Sequence, residues 1–401
     1  MNAELPYDLA LPPLVRFGVG RAAEVGEVVG LLGRSAWLIG GRRSLLESAA
    51  RPGIEASLEA AGIEHRVVAA SEGEPTVEQV AAALAGLPAG DRGGVVIVAV
   101  GGGSAIDLAK AVAALATNVD PASATHHDLA GFVTDHLEGV GTRSIARWPL
   151  PVVALPTTAG TGAEATRNAV ISCPRRRFKK SMRSPMMVPR AVILDPMVGA
   201  GCDAATTAAA GLDAITQLIE SFICRFARPV PRALVLEALP RAIAALPRLL
   251  ADPADRAARA AMSHAAFVSG VALTNSGLGM AHGVAAALGI ECGTPHGLAC
   301  ALMLPVAMRV NASVAERDLA TLERAIDPES AGEDDATRAS AFVRRIERLC
   351  REAGVPQRLA DVGLARDRLP WLAENSGGAS MRGNPVELEP RRLEAILEAI
   401  L

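Results

Sequence analysis

An apolar run that ends in three glycines constrains this chain more than any other feature of its sequence. Residues 94–100 are apolar and rich in β-branched side chains, as in a buried parallel strand. Residues 101–103 are all glycine, Ser104 follows them, and a helical pattern of apolar residues begins at Ile106. A glycine turn that opens a helix binds phosphate because its backbone N–H groups point at the anion. Taken alone, the run predicts either a phosphate site or only a tight strand-to-helix turn.

Short apolar strands alternate with helical patterns through the first half of the chain. The predicted strands are residues 36–39, 66–69, 94–100, 152–155 and 191–194, and helical patterns such as 77–87 and 106–116 separate them. This alternation predicts a Rossmann-like α/β fold with a doubly wound parallel sheet. Ligands bind at the carboxyl ends of such strands, where the turns 40–44, 101–104 and 157–162 fall.

From about residue 199 the strand signals stop, and helical periods rich in alanine and leucine continue to the end. We therefore predict two domains, an α/β domain over residues 1–198 and an all-helical domain over residues 199–401. The chain has 401 residues, half of them apolar, which is enough to bury two large cores.

Composition excludes several classes of partner. A net charge of −3 and an aromatic content of 3% do not favour nucleic acid or an anionic membrane. Six cysteines without CxxC spacing indicate reduced thiols and a cytoplasmic location. No signal peptide is visible, and the most apolar long stretch, residues 271–290, contains Asn275 and His282, as expected of core helices.

Candidate metal ligands occur in the helical half. Asp213 and Gln217 are four residues apart, so a helix places both side chains on one face. His282 lies within one helical segment and His296 at the turn that opens the next, so both imidazoles can reach a single point. A carboxylate with two imidazoles suits Zn²⁺ or Fe²⁺, although a single buried histidine is more often a core residue.

Several segments together resemble the iron-containing (group III) alcohol dehydrogenases, in order and with matching spacings. These segments are residues 101–110, 156–166, 179–185, 194–196, 211–217, 282–283, 295–297 and 383–385. The resemblance implies the architecture that this family shares with dehydroquinate synthase. It also implies hydride transfer between NADP or NAD and a small aldehyde or ketone/alcohol pair, in an enzyme that is commonly a dimer.

The resemblance also implies that residues 1–198 form the dinucleotide-binding domain and residues 199–401 the metal- and substrate-binding domain, and it implies which residues hold these ligands. Two of the residues assigned to the dinucleotide lie in the turn after the second strand, and the others lie in the segments that resemble the family. The full set is Gly41, Arg42, Gly102, Gly103, Ser104, Asp107, Thr157, Thr158, Thr161 and Lys179. The residues implied for a divalent metal, Zn or Fe, are Asp213, Gln217, His282 and His296.

This chain departs from the family pattern at two positions of the metal site. Gln217 stands where the family usually has a histidine, and a carboxamide oxygen is a weaker ligand, so iron affinity should fall. Related glycerol dehydrogenases hold zinc with one carboxylate and two histidines, a set that Asp213, His282 and His296 would match. Ala286 stands where another histidine often helps to relay protons, so here the proton must leave through water, a ribose hydroxyl or a substrate group.

The turn after the second strand bears on the choice of dinucleotide. NAD-dependent members of the family tend to carry an aspartate there, whereas this chain has Gly41 followed by Arg42 and Arg43. Arginine pairs bidentately with a phosphate that an aspartate would repel, which predicts a preference for NADP(H). The alternative is that both arginines are only solvated surface charges.

Two other functions remain open at this point. The first is a metal-independent reductase of an anionic keto-acid, similar to the maleylacetate reductases. The altered ligand set and the basic run at residues 175–180 favour it, although such a run is usually a solvated hairpin. The second is a non-catalytic nucleotide-binding relative whose active site has decayed.

Overall fold

A computed structural model describes residues 6–88, 90, 92–119, 129–329 and 333–401, which form two compact units. The first, the α/β unit, comprises Ala10–Thr158 and Gly162–Cys202. The second, the helical unit, comprises Asp203–Leu401, the segment Ala159–Thr161 and the described residues up to Leu9. The chain therefore passes from one unit to the other a few residues beyond residue 198, where the sequence predicts the boundary.

Strands and helices alternate in the α/β unit. Its described strands are β1 (Leu14–Phe17), β2 (Ser35–Gly41), β3 (Glu64–Ser71), β4 (Val95–Gly101), β5 (Val152–Pro156), β6 (Asn168–Cys173), β7 (Phe178–Arg183) and β8 (Ala191–Leu194). Its described α-helices are α1 (Val25–Gly30), α2 (Arg51–Ala60), α3 (Val77–Ala85), α4 (Gly103–Asn118) and α5 (Leu129–Asp135).

Six strands form one sheet in the order β3-β2-β4-β5-β8-β1, and every neighbouring pair is parallel. This confirms the predicted doubly wound parallel sheet. Strand order reverses between β2 and β4, because the chain leaves β3 and returns across β2 to reach β4. Such a reversal opens a crevice at the carboxyl ends of the two strands, where ligands bind in this class of fold.

The basic run lies on a separate antiparallel hairpin formed by β6 and β7. Arg177, in the turn, has a φ of 49°, in the left-handed region. The side chain of Arg175 is 86% exposed, which fits the solvated hairpin expected from the sequence.

The helical unit confirms the predicted all-helical second half. Its described α-helices are α6 (Ala204–Ile223), α7 (Pro229–Ala251), α8 (Arg256–Asn275), α9 (Met280–Cys292), α10 (His296–Ile326), α11 (Asp335–Glu352), α12 (Leu369–Asn375), α13 (Ala379–Arg382) and α14 (Pro390–Glu398). Side-chain caps set several helix starts: Asp203 accepts from the N–H of Thr206, and Asp255 from that of Ala258. The apolar faces of α6 to α10 form one continuous core.

Helix α10 is the one helix of the described chain that is long and apolar enough to cross a membrane. In its most apolar window, 61% of the residues are buried inside the unit, which is the pattern of a core helix. The stretch 271–290, noted from the sequence, divides between the end of α8 and the start of α9.

A pair of buried asparagines ties the C-terminal segment to the rest of the helical unit. Asn384 donates to the side-chain oxygen of Asn311 at 3.0 Å and accepts from the Asn311 amide at 2.8 Å. The same Asn384 oxygen accepts from the N–H of Met280, at the start of α9. The segment after α13 therefore helps to hold the beginning of α9, where His282 lies.

Candidate functional site

Ser44 joins the carboxyl ends of β2 and β4. Its hydroxyl accepts from the N–H of Gly41 at 3.1 Å and donates to the carbonyl of Val100 at 3.2 Å. Gly101 has a φ of 153°, and a Cβ there would lie 2.5 Å from that of Ala105. Only glycine fits this position, so the two strand ends form a tight backbone cradle at the reversal of strand order.

The N-terminus of α4 lies in this cradle. Gly102 is the N-cap residue, and none of the described side chains caps this sixteen-residue helix. A Cβ on Gly102 would lie 3.0 Å from the hydroxyl of Thr158, so the loop after β5 packs directly on the glycine turn. First-turn N–H groups without a side-chain cap, backed by the helix dipole, suit a phosphate group.

Other residues predicted for the dinucleotide have partners within the chain. Asp107 accepts from the N–H of Val170 on the hairpin at 3.0 Å, so it links α4 to β6. Lys179 is ion-paired with Glu74, and its side chain is only 13% exposed. Arg42 pairs with Glu47 at 2.8 Å. Thr161 belongs to the short segment that clusters with the helical unit. Nucleotide contacts of these residues stay predictions.

Lys110 is fully buried beneath the cradle. Its ammonium donates to the carbonyl of Ala163 and the hydroxyl of Thr166, and it lies 3.0 Å from the carboxylate of Asp107. Burial lowers the pKa of Lys110 and raises that of Asp107. Burial also raises the pKa of the neighbouring Glu164 from 4.5 to about 7. The α/β unit thus carries a buried group that titrates near neutral pH.

Glu164 should make the stability of the α/β unit depend on pH. The pKa of Glu164 is higher in the folded state than in the unfolded chain. The contribution of this carboxyl to the free energy of unfolding is therefore constant below about pH 4.5 and decreases as the pH rises to about 7. The full loss is about 3 kcal/mol. We expect Glu164→Gln to remove this loss, so that the variant gains unfolding free energy over the wild type between pH 5 and pH 8, roughly the span of the shift. Urea denaturation measures the difference.

The exposed Glu138 supplies the control for that experiment. Its carboxylate lies in the same unit, paired with Arg183 at 2.7 Å and 46% exposed. Glu138→Gln should change the free energy of unfolding by no more than about 1 kcal/mol, the usual value of an exposed ion pair. Parallel pH curves for Glu164→Gln and the wild type would show that the buried carboxyl does not titrate in this range.

Four potential metal ligands meet in the helical unit. They are Asp213 on α6, His282 on α9, and His296 and Cys300 on the first turns of α10. One ligand atom from each lies within 4.8 Å of the others. His282 Nε2 is 3.3 Å from Asp213 Oδ1, and Cys300 Sγ is 3.6 Å from His296 Nε2. The expected convergence of one carboxylate and two imidazoles is therefore present, with a thiol beside it.

The cluster has the donor chemistry of a metal site. Asp213 and His282 are 1% and 5% exposed, yet Asp213 Oδ1 and His282 Nε2, 3.3 Å apart, have hydrogen-bond geometry neither with each other nor with any other described residue. Leaving two such buried atoms without partners is costly, and a cation between them would satisfy both. Carboxylate, imidazole and thiolate are all ligands of zinc, and two imidazoles with one carboxylate are also a usual ligand set of non-haem iron(II).

Close packing of α10 on α6 produces this convergence. A Cβ on Gly297 would lie 2.2 Å from the carbonyl oxygen of Ala209 and 3.2 Å from the Cβ of Asp213. Glycine at position 297 therefore lets the start of α10 approach α6. His296 and Cys300, four residues apart on one helix face, reach Asp213 for this reason.

Glu220, which the sequence analysis missed, orients His282. Its carboxylate accepts from the His282 Nδ1 at 2.7 Å and from the N–H groups of Gly279 and Ala281 at the start of α9. With Nδ1 protonated, the lone pair of Nε2 points toward Asp213. A signal was present, because Glu220 follows Asp213 by seven residues and so lies on the same helix face.

Gln217 lies on the same face of α6 but is engaged elsewhere. Its side-chain oxygen accepts from the hydroxyl of Ser269 on α8 at 2.6 Å. A metal-binding role for Gln217 stays a prediction. Cys300 was expected only to be a reduced, buried thiol, and burial raises its pKa to about 12. A histidine four residues earlier on the same helix was the available signal for its place in the cluster.

A backbone cradle suited to phosphate in one unit and a buried cluster of potential metal ligands in the other are the features expected of a metal- and dinucleotide-using oxidoreductase. The family model "Iron-containing alcohol dehydrogenase" matches residues 12–196, and "Fe-containing alcohol dehydrogenase family, C-terminal" matches residues 207–401. The chain belongs to the iron-containing alcohol dehydrogenase family, and it is an enzyme of the alcohol dehydrogenase class. Both predictions are confirmed.

Curated relatives and solved structures agree. The chain is 30% identical to the probable alcohol dehydrogenase EutG of Escherichia coli K12, over 96% of this chain and 92% of the relative. It is 30% identical to lactaldehyde reductase of the same organism, over 95% of each chain. The structure of a 1,3-propanediol oxidoreductase gives a TM-score of 0.87 at 28% identity, over 99% of this chain and 100% of that one. An alcohol dehydrogenase from Oenococcus oeni gives 0.88 at 26% identity, with the same coverage.

Proposed function

We propose that this enzyme transfers hydride between NADP(H) and a small aldehyde or ketone/alcohol pair, with a divalent metal, acting as a cytoplasmic homodimer. The observation that carries the proposal is the buried cluster, in which Asp213 Oδ1 and His282 Nε2 converge without hydrogen-bond partners among the described residues. The names of its relatives, among them lactaldehyde reductase and 1,3-propanediol dehydrogenase, support a small carbonyl substrate.

Each unit has its own part in the reaction. When bound, the metal would supply Lewis-acid polarisation of the carbonyl oxygen, and the nicotinamide would supply the hydride. Asp213, His282 and His296 would hold the metal, and Glu220 keeps the imidazole of His282 in the required tautomer. The glycine turn and the N-terminus of α4 would hold the pyrophosphate.

Proton transfer needs a route other than a side chain at position 286. Ala286 lies on α9 one turn after His282, and its methyl group carries no exchangeable proton. Water, a ribose hydroxyl or a hydroxyl of the substrate must therefore deliver the proton to the alkoxide. A substrate with a second hydroxyl would supply such a group itself.

The preference for NADP(H) rests on Arg42 and Arg43. Arg42 lies at the carboxyl end of β2, where its pairing with Glu47 is exposed to solvent and so is readily exchanged for a phosphate. We expect replacement of both arginines by alanine to lower kcat/KM for NADPH by about 10- to 100-fold. This is the effect expected from losing the charged hydrogen bonds between the arginines and the 2′-phosphate. The value for NADH should change little. Steady-state kinetics with both dinucleotides measure this, and a wild-type preference for NADH would refute it.

A metal-independent reductase of an anionic keto-acid is the second candidate. The engagement of Gln217 with Ser269, away from a ligand role, favours it. Elemental analysis of the purified protein, combined with assays on aldehydes and on keto-acids, distinguishes the two. Bound zinc or iron with aldehyde reduction supports our proposal. Keto-acid reduction without a stoichiometric metal supports the alternative, and no turnover with either substrate class supports a non-catalytic relative.

A further inference from the structure

We propose that Cys300 is a metal ligand in this enzyme, beside Asp213, His282 and His296. The inference rests on the proposed function, since it concerns the same metal. It assigns a donor set of one carboxylate, two imidazoles and one thiolate.

Geometry places the thiol among the other ligands. Cys300 is fully buried, its sulfur lies 3.6 Å from His296 Nε2, and its distances to the ligand atoms of Asp213 and His282 are within 4.8 Å. Four donors so close together can surround one ion, because metal–ligand bonds of about 2.0–2.3 Å place ligand atoms a few ångströms apart.

The orphaned atoms indicate where the ion would lie. Asp213 Oδ1 and His282 Nε2 are buried and without hydrogen-bond partners among the described residues, and both belong to the group of atoms that includes Cys300 Sγ. The side-chain oxygen of Gln217 accepts from the hydroxyl of Ser269. The thiol is the fourth donor in this group of atoms.

A thiolate ligand changes which metal the site selects. Sulfur is a soft ligand that favours zinc, and zinc accepts cysteine, histidine and carboxylate together. The enzyme is then a zinc enzyme in a family named for iron. Zinc should bind more tightly than iron(II), which the Irving–Williams order also favours.

Cobalt(II) substitution tests the assignment without measuring turnover. Cobalt-loaded wild type should show an intense near-ultraviolet band from sulfur-to-cobalt charge transfer, and Cys300→Ser should lose that band. The zinc affinity of Cys300→Ser should be lower than that of the wild type by about 100-fold or more, because loss of a ligand should cost at least as much as loss of a group that only orients a ligand. Competition with a chromophoric chelator measures this affinity.

Cys350 provides a matched control. It is a buried thiol of the same unit, on α11, and donates to the carbonyl of Ala301. Cys350→Ser should keep both the band and the zinc affinity.

The possible outcomes separate this inference from the proposed function. Cobalt-loaded wild type without the band overturns the thiolate assignment, even if Cys300→Ser does not fold. Metal-dependent turnover in that same protein would leave the proposed function intact. A band that persists in Cys300→Ser also overturns the assignment. A wild-type protein that binds neither cobalt nor zinc overturns both.

Discussion

Replacing Asp213 by asparagine, or His296 by alanine, should abolish metal binding and lower the rate of alcohol oxidation by about 1,000-fold or more. Each change removes one of the clustered donors, and Asp213 is the only carboxylate among them. Lewis-acid polarisation is worth several kcal/mol, and each 1.4 kcal/mol corresponds to about a tenfold change in rate. Elemental analysis and steady-state kinetics on the same preparations measure both effects.

His264 is the control for the histidine substitution. It lies on α8 of the same unit, where its Nε2 is 2.7 Å from the carboxylate of Glu237 and outside the cluster. His264→Ala should keep full metal content and a near wild-type rate. If Asp213→Asn and His296→Ala are folded, free of metal and as active as the wild type, metal-assisted hydride transfer is not the mechanism.

Replacing Glu220 by glutamine should weaken metal binding by about 10- to 100-fold, the usual effect of losing a partner that orients a ligand. Both oxygens of this buried carboxylate accept from N–H groups, one from Ala281 and the other from Gly279 and His282. In the glutamine variant, whichever way the amide is oriented, its NH₂ group takes the place of one carboxylate oxygen and meets a backbone N–H, so that two donors face each other. We therefore also expect a loss of about 3 kcal/mol in the free energy of unfolding. Chelator competition and urea denaturation measure the two quantities.

Glu323 distinguishes the orienting role from burial alone. Its side chain on α10 is as buried as that of Glu220, and it pairs with Arg345 at 2.6 Å, away from the cluster. Glu323→Gln should also destabilise the helical unit but leave metal affinity unchanged. Equal losses of metal affinity in both variants would mean that general destabilisation, not orientation of His282, explains the effect.

The fold was largely predictable because hydrophobic periodicity records burial. Five of the six strands of the parallel sheet are apolar runs, and they were located within a few residues. β1 was missed, since its four residues alternate between half-buried and exposed at the sheet edge. Helix α10 continues to Ile326 beyond its most apolar part, because its second half is charged on one face while Leu319 and Leu322 remain buried on the other.

The site was less predictable than the fold. Sequence spacing brought Asp213, His282 and His296 together because each lies near the start of a helical segment or on a recognisable face. Cys300 was missed because a buried cysteine resembles any small apolar residue in sequence, and its one signal, the histidine four residues earlier, is weak. Glu220 was missed because its partners are backbone N–H groups of another helix, which only the tertiary structure supplies.

The link between Asn384 and the start of α9 couples metal binding to folding of the helical unit. His282 lies two residues after Met280, whose N–H is held by the side chain of Asn384, 104 residues further along the chain. The support for one metal ligand thus depends on a contact that only the folded unit supplies. An ion bound at these ligands would bind the folded form in preference to the unfolded chain, so it should raise the stability of the unit.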